Sequence, residues 1–304
     1  MCRWKTPIRA HGIDALLPGG LTAKAIAAQP DWLRSLHVEE RLPVGARVLF
    51  TGCGTSYHAA LAAGPAAHAL DVVLGDAPPA DVLVAISHEG ETTLTQEAVA
   101  GFVGETWAIT GKVDAPISQA CDNVVVATPA VEESYCHTAS YVSAIAAGRA
   151  LQGEDVSGLA DAVEAKLAER RLPLSTHTRW LVTGAGRDWP TALEAVLKLR
   201  EGAHVVAEAH QTEQLLHGHL AAIDDSVRCF VLRGEGRAAE RADSAVRALG
   251  ELGCEVALIE TSHPVLDIVP FQRLTVELAD ARGVDPDLIR WDEEPWDRAR
   301  RSYA

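Results

Sequence analysis

Three titratable side chains recur at helical spacing in Ala192-Leu-Glu194-Ala-Val-Leu-Lys198-Leu-Arg-Glu201. On a helix, Glu194 and Lys198 are four residues apart and Lys198 and Glu201 three, so the lysine shares one face with both carboxylates. A carboxylate that takes a proton, beside an ammonium that steadies a developing oxyanion, is equipment for moving protons on carbon. From spacing alone the simpler account is a surface ion-pair ladder worth roughly 0.3 kcal/mol per pair. Further on, His217 stands among apolar residues in Leu216-His-Gly-His-Leu220, where a histidine is most often a cap or a satisfied core residue. His217 and His219 have H-x-H spacing, but no nearby carboxylate or cysteine completes a recognised ligand set, so no metal site is expected.

Two other stretches join an apolar run to a turn of small polar residues. Arg47-Val-Leu-Phe-Thr-Gly-Cys-Gly-Thr-Ser56 leads into Tyr57-His-Ala-Ala, and Asp81-Val-Leu-Val-Ala-Ile-Ser87 leads into His88-Glu-Gly-Glu-Thr92. Each reads as strand, turn, helix. Backbone N–H groups at a helix start lack intrahelical partners and carry partial positive charge, so the two turns together predict one cradle for a phosphate or carboxylate. A third turn, Thr183-Gly-Ala-Gly-Arg187, has its own arginine and is a second candidate anion site, although a tight strand-to-helix turn is the simpler explanation.

The elements that must position these residues follow from apolar patterning. Continuous runs at 47–52, 71–74, 81–86, 106–110 and 123–127 predict strands buried on both faces, and the helical stretches between them imply a parallel sheet. The first forty or so residues read as helical, with apolar positions at near-helical spacing after a proline that can start a helix. A helical pattern runs from about 138 to 170 and breaks at Leu172-Pro-Leu-Ser-Thr-His. The plan then restarts: Arg179-Trp-Leu-Val-Thr-Gly-Ala-Gly186 mirrors residues 47–54, with further strands expected at 227–232, 255–259 and 273–278. The expected fold class is α/β and internally duplicated, with two doubly wound parallel sheets flanked by helices. Its expected parts are a helical segment (1–40), two domains (41–170 and 176–290) and a tail (291–304); two unrelated α/β halves are the alternative.

At 304 residues, 48% hydrophobic and 23% charged, the chain has the size of one large or two ordinary soluble domains. The formal net charge of −15 argues against a nucleic-acid or anionic-membrane partner, both of which need a basic face, and requires any anionic substrate to be held by local donors. No apolar run reaches the roughly 20 residues of a membrane span. The start, Met1-Cys-Arg-Trp-Lys-Thr-Pro, lacks the apolar core of a signal peptide, so a cytoplasmic location is expected. Cys2, Cys53, Cys121, Cys136, Cys229 and Cys254 form no C-x-x-C pair and read as reduced, mostly buried thiols.

Taken in order, Thr51-Gly-Cys-Gly-Thr-Ser-Tyr-His-Ala59, Ile86-Ser-His-Glu-Gly-Glu-Thr92, the 192–201 stretch, Ala207-Glu-Ala209 and Leu216-His-Gly218 resemble the motifs of the tandem SIS (sugar isomerase) proteins, among them the isomerase half of glucosamine-6-phosphate synthase. The resemblance covers about 25 to 290. It implies two tandem SIS domains and a homodimer with shared active sites. It further implies a sugar phosphate held by Gly54, Thr55, Ser56, Ser87, His88, Glu89 and Thr92, with His137 and Arg290 toward the sugar. By the same resemblance Glu201 is the base that moves a proton between C1 and C2, Lys198 lies near the sugar oxygens, and His217, from the neighbouring subunit, opens the ring. No metal or other cofactor is implied. Aldose–ketose interconversion passes through an enediol, and a base of this kind contributes about 10²- to 10⁴-fold when partial burial raises its pKa toward the working pH.

The sequence also departs from the family pattern. The glutaminase domain of the synthase is absent from it, so glutamine is not expected as a nitrogen source, and Arg3-Trp-Lys-Thr after Cys2 does not continue a nucleophile motif. Glu89 takes the place of a serine in the phosphate loop. A carboxylate about 5 Å from a phosphate costs about 3 kcal/mol per unit charge at an effective dielectric of about 20, unless Glu89 points away or is neutralised by an arginine or by His88, protonated beside Glu89 and Glu91. Ala139, within Glu133–Tyr141, stands where relatives have a lysine. The ending Gly283–Trp296 lacks the synthase's catalytic lysine; Arg290 can approximate its charge but cannot form a Schiff base. The expected function is isomerisation, with or without loss of ammonia, of an aminosugar or ketose phosphate, the leading case being glucosamine-6-phosphate to fructose-6-phosphate. The alternatives are an isomerase of another, unphosphorylated sugar and a sugar-phosphate sensor without turnover.

Overall fold

The computed structural model describes residues 20–303; Cys2 and the part of the expected N-terminal helix before Gly20 lie outside the described residues. After α1 (Gly20–Ser35) the chain alternates through β1 (Val48–Gly52), α2 (Thr55–Ala63), β2 (Ala66–His68), α3 (Ala69–Leu74), β3 (Val82–Ile86), α4 (Thr93–Gly101), β4 (Glu105–Thr110), α5 (Pro116–Ala120) and β5 (Asn123–Val126). These five strands form one parallel sheet in the order β2-β1-β3-β4-β5. Every residue of β3 is buried, as a strand covered by helices on both faces must be.

Helices α6 (Ala139–Leu151) and α7 (Leu159–Ala168) lead to the second set: β6 (Arg179–Gly184), α8 (Trp189–Ala203), β7 (Val206–Gln211), α9 (Thr212–Leu216), β8 (Val227–Arg233), α10 (Arg237–Glu251) and β9 (Glu255–Glu260). Its strands are also parallel, ordered β7-β6-β8-β9. The chain closes with α11 (Pro264–Asp267), α12 (Val269–Arg282) and α13 (Glu294–Arg301). In each sheet the first strand lies between the second and the third, so the direction of growth reverses at β1/β3 and at β6/β8. The carboxyl ends at such a reversal form the crevice where open α/β sheets take ligands. One apolar cluster joins the two sheets, with Phe50, Trp107 and Tyr141 on one side and Trp180, Phe230 and Phe271 on the other. Among the described residues no helix is long and apolar enough to cross a membrane.

Several expected elements differ. Residues 71–74 belong to α3, not to a strand: His68 accepts the Leu70 N–H at 3.1 Å to start the helix, and Gly75, with φ 78°, ends it. The strand beside β1 is the short Ala66–His68, which has no branched residue to mark it. Residues 273–278 lie in α12, where Phe271, Leu274 and Leu278 are buried at helical spacing. The helix expected from 138 to 170 is two helices, because Gly153 turns at φ 88° between them. Pro30 lies inside α1 instead of starting it. The helix start is supplied by Asp287, whose carboxylate accepts the N–H groups of Leu21 and Thr22 at 3.0 and 2.8 Å.

Candidate active site

The crevice between β1 and β3 receives one turn from each strand and one face of α8. Gly52 ends β1 where an added Cβ would lie 2.9 Å from the backbone of Ser56, so only glycine lets strand and helix approach this closely. Gly54, exposed with φ 55°, reverses the chain into the first turn of α2, which presents Thr55 and Ser56. After β3, the Ser87 and Thr92 hydroxyls face each other at 3.5 Å, and Thr92 stands at the start of α4.

Helix α8 lays Glu194, Lys198 and Glu201 against the start of α2. The Lys198 and Glu194 side chains are 1% and 0% exposed and that of Glu201 24%, so this is no surface ladder. Lys198 Nζ donates to Glu201 Oε2 at 2.7 Å and to Thr55 Oγ1 at 3.1 Å, and lies 3.5 Å from Glu194 Oε1. Thr55 in turn donates to Glu194 Oε1 at 3.2 Å, while His58 Nδ1 meets Glu194 Oε2 at 2.7 Å. Burial pushes the Glu201 carboxyl up, against the pull of Lys198. Burial by itself lowers the Lys198 ammonium, but the Glu201 and Glu194 carboxylates overturn that and hold it above its ordinary range. The cluster thus offers a carboxylate with a raised pKa, about a quarter exposed, next to a permanent cation.

A narrow cleft, with room for on the order of one water, runs beside this cluster between α2, α6 and the sheet and is lined by Thr55, Ser56, His88, Thr128, His137 and Tyr141. Three buried polar atoms of its lining, Thr128 Oγ1, His137 Nε2 and Tyr141 Oη, make no hydrogen bond to the protein. His88 is not the protonated neutraliser of Glu89 and Glu91. Its Nε2 accepts the Glu132 N–H at 2.8 Å and its ring packs edge-on against His137 at 5.3 Å; burial and that neighbour hold it down at about 4. His137 is likewise pushed down to about 4 by burial and by Lys198. Glu132 accepts the N–H groups of Thr138 and Ser140 at 2.7 and 2.9 Å and both their hydroxyls, which fixes the loop that presents His137. Burial raises Glu89, with Lys112 pulling it back.

Two expected participants stand apart. Arg290 is engaged by both carboxylate oxygens of Glu293, at 2.7 Å each, and lies 3.1 Å over the Trp296 ring. The His217 side chain is 71% exposed and pairs with Glu213 at 2.8 Å. The turn after β6 is filled by the protein itself: Asp188, fully buried, accepts the Thr261 hydroxyl at 2.8 Å, and an added Cβ at Gly234 would meet its other oxygen at 2.7 Å. Arg187 there is paired with Glu235 at 3.5 Å. The first sheet, not the second, therefore has the open crevice. Among the described residues no group of three or more His, Cys, Asp or Glu is placed to hold a metal ion. Sequence reasoning missed His58, Thr128 and Tyr141; only the Thr55-x-x-His58 spacing, which puts both on one face of α2, signalled the first.

Residues 174–264 match the SIS domain family. The chain is 26% identical to the glutamine–fructose-6-phosphate aminotransferase (isomerizing) of Methanothermobacter thermautotrophicus over 84% of its own length and 52% of the relative's, and 27% identical to that of Pyrococcus horikoshii over 80% and 50%. It thus spans about half the length of the curated relatives it matches. Its fold is that of glucosamine-6-phosphate deaminase from Thermotoga maritima, with a TM-score of 0.71 and 21% identity over 88% of this chain and 97% of that one. The tagatose-6-phosphate ketose/aldose isomerase of Escherichia coli also has a TM-score of 0.71, with 17% identity over 90% and 98%. Residues 174–264 are thus similar to the SIS domain family, and most of the chain is similar to about half of the isomerizing aminotransferases.

Proposed function

We propose that this chain is a phosphosugar isomerase working by enediol proton transfer, with Glu201 as the base. The buried Lys198–Glu201 pair beside the Gly-Thr-Ser turn carries this reading. A carboxylate whose pKa burial raises, held beside a cation, is the arrangement that active sites use for a base. With an open-chain aldose in the crevice, Glu201 takes the proton from C2 and the C–H electrons pass to the C1 oxygen, where Lys198 faces the developing charge. The O2 hydroxyl proton passes to O1, and as the C2 carbonyl forms the C=C electrons take the proton back from Glu201 at C1. With a 2-amino sugar the same transfer gives an enolamine, whose imine tautomer releases ammonia when water adds. That is the leading case, glucosamine-6-phosphate to fructose-6-phosphate, and the names of the deaminase and isomerase that share the fold support it. The shared strand order of the two sheets supports two SIS modules, 41–170 and 176–290. The exposure of His217 supports its service to a second subunit.

Proton NMR in D₂O with a panel of hexose and aminohexose phosphates and their unphosphorylated forms tests this reading. Wild type should exchange the C2 proton of one class, and Glu201→Gln should not. Binding of panel members without any exchange would make the chain a sensor instead.

A further inference from the structure

Glu194 presents an unequal arrangement. Its carboxylate is fully buried, yet the nearby cation sits closer to Glu201, at 2.7 Å against 3.5 Å. A fully buried carboxylate has the greater need of a cation than one a quarter exposed. Two hydrogen bonds from α2 serve it instead. His58 Nδ1 meets Oε2 at 2.7 Å and Thr55 donates to Oε1 at 3.2 Å, which leaves Lys198 free to close on Glu201. Lys198 is the one fixed cation of this packed group: burial keeps the Cys136 thiol and the Tyr141 hydroxyl protonated and His137 neutral. We propose that His58 is a positioning residue for Glu201: by holding Glu194 it directs Lys198 to Glu201 and so sets the pH at which Glu201 is an ionised base.

The hydrogen bonds form one chain, from His58 through Glu194, Thr55 and Lys198 to Glu201. Its two ends are partly open to solvent, at 13% for His58 and 24% for Glu201, while Glu194 and Lys198 are buried. If His58 is removed, Lys198 is drawn toward Glu194 and Glu201 holds its proton more tightly. This rests on Glu201 being the base, but its first test does not need a substrate.

The experiment is a ¹³C NMR titration of the full chain labelled at the glutamate carboxyl carbons, with Glu194→Gln and Glu201→Gln used to identify signals. In His58→Ala the Glu201 midpoint should rise by about one pH unit or more, the effect of drawing the Lys198 charge away from Glu201. His58→Gln carries its amide where Nε2 was and cannot reach Glu194, so it should behave like His58→Ala and serves if alanine does not fold. His58→Asn places a donor where Nδ1 was and should keep the wild-type midpoint. A Glu201 midpoint unmoved in folded His58→Ala or His58→Gln, or moved equally in His58→Asn, overturns the proposal. Where sugar exchange is observed, the acid limb of its pH profile should move by the same amount. Exchange with no sugar at all would remove the isomerase reading and leave the carboxyl titration to decide the role of His58.

Discussion

Lys198 and Glu201, one helical turn apart on α8, form a buried ion pair of 2.7 Å that a second buried carboxylate, Glu194, flanks at 3.5 Å. Two carboxylates share one cation, so taking the cation away leaves both uncompensated. Lys198→Met should therefore destabilise the fold by about 3 to 5 kcal/mol, the usual cost of breaking a buried pair. Urea unfolding reads this directly. The same variant should lose about 10²-fold or more in exchange rate at neutral pH, because Glu201 then holds its proton and the oxyanion has no cation. A variant as stable as wild type would mean that water reaches the cluster freely.

Glu89 occupies the loop expected to hold phosphate, and burial raises its carboxyl. A raised carboxyl is neutral at low pH and charged at high pH, so its repulsion of a phosphate grows as pH rises. Relative to Glu89→Gln, wild type should therefore lose affinity for the sugar phosphate as pH rises, the phosphate's own second ionisation near pH 6 being common to both. Glu89→Gln should bind the phosphate more tightly above neutrality, by roughly 100-fold per unit of phosphate charge for a repulsion of about 3 kcal/mol at 5 Å. Isothermal titration across pH 5.5 to 8 gives both slopes. Equal slopes in wild type and Glu89→Gln would place the phosphate away from this loop.

Asp267 is 4% exposed, and its carboxyl is pushed up to about 6 by burial, although the N–H of Ser262 at 2.9 Å opposes this. The folded chain then holds this proton more tightly than the unfolded chain does. Its contribution is full below about pH 4 and is lost as pH rises through 6, about 3 kcal/mol for two units. Asp267→Asn cannot ionise and keeps an acceptor for Ser262. Its stability relative to wild type should therefore climb between about pH 4 and 6 and then level off, whatever its constant offset. Denaturant curves at pH 4, 5, 6 and 7.5 would show a flat difference if Asp267 titrates normally.

Long apolar runs made β1, β3, β4 and β8 legible, because strands buried on both faces must be continuous. Ala66–His68 and Val206–Gln211 were not, since an edge strand of alanine or of alternating charged residues has no such mark. Residues 71–74 and 273–278 show the converse: branched residues suggested strands where caps and neighbouring burial made helices. In the site, the spacing of Glu194, Lys198 and Glu201 was visible but its burial was not. Burial came from α2 packing across α8, a contact between residues about 140 apart that no local pattern encodes. His88 was misread for the same reason, because its partner is the backbone of Glu132 and not its acidic neighbours in sequence.

His217 lies on the surface, paired with Glu213, which Arg241 also holds at 2.7 Å. The proposed role of His217 is in the crevice of a second copy. The consequence is a complementation that a single-chain site cannot show. Glu201→Gln and His217→Ala should each be inactive alone. When the two are mixed and reassociated, a mixed dimer pairs the intact Glu201 of one chain with the intact His217 of the other. In a symmetric dimer, random reassociation of equal amounts should restore about a quarter of the wild-type sites. Exchange rates measured before and after reassociation give the answer: recovery places His217 in the partner's crevice, whereas no recovery, with dimers present by sedimentation, confines it to its own chain or to no role in turnover.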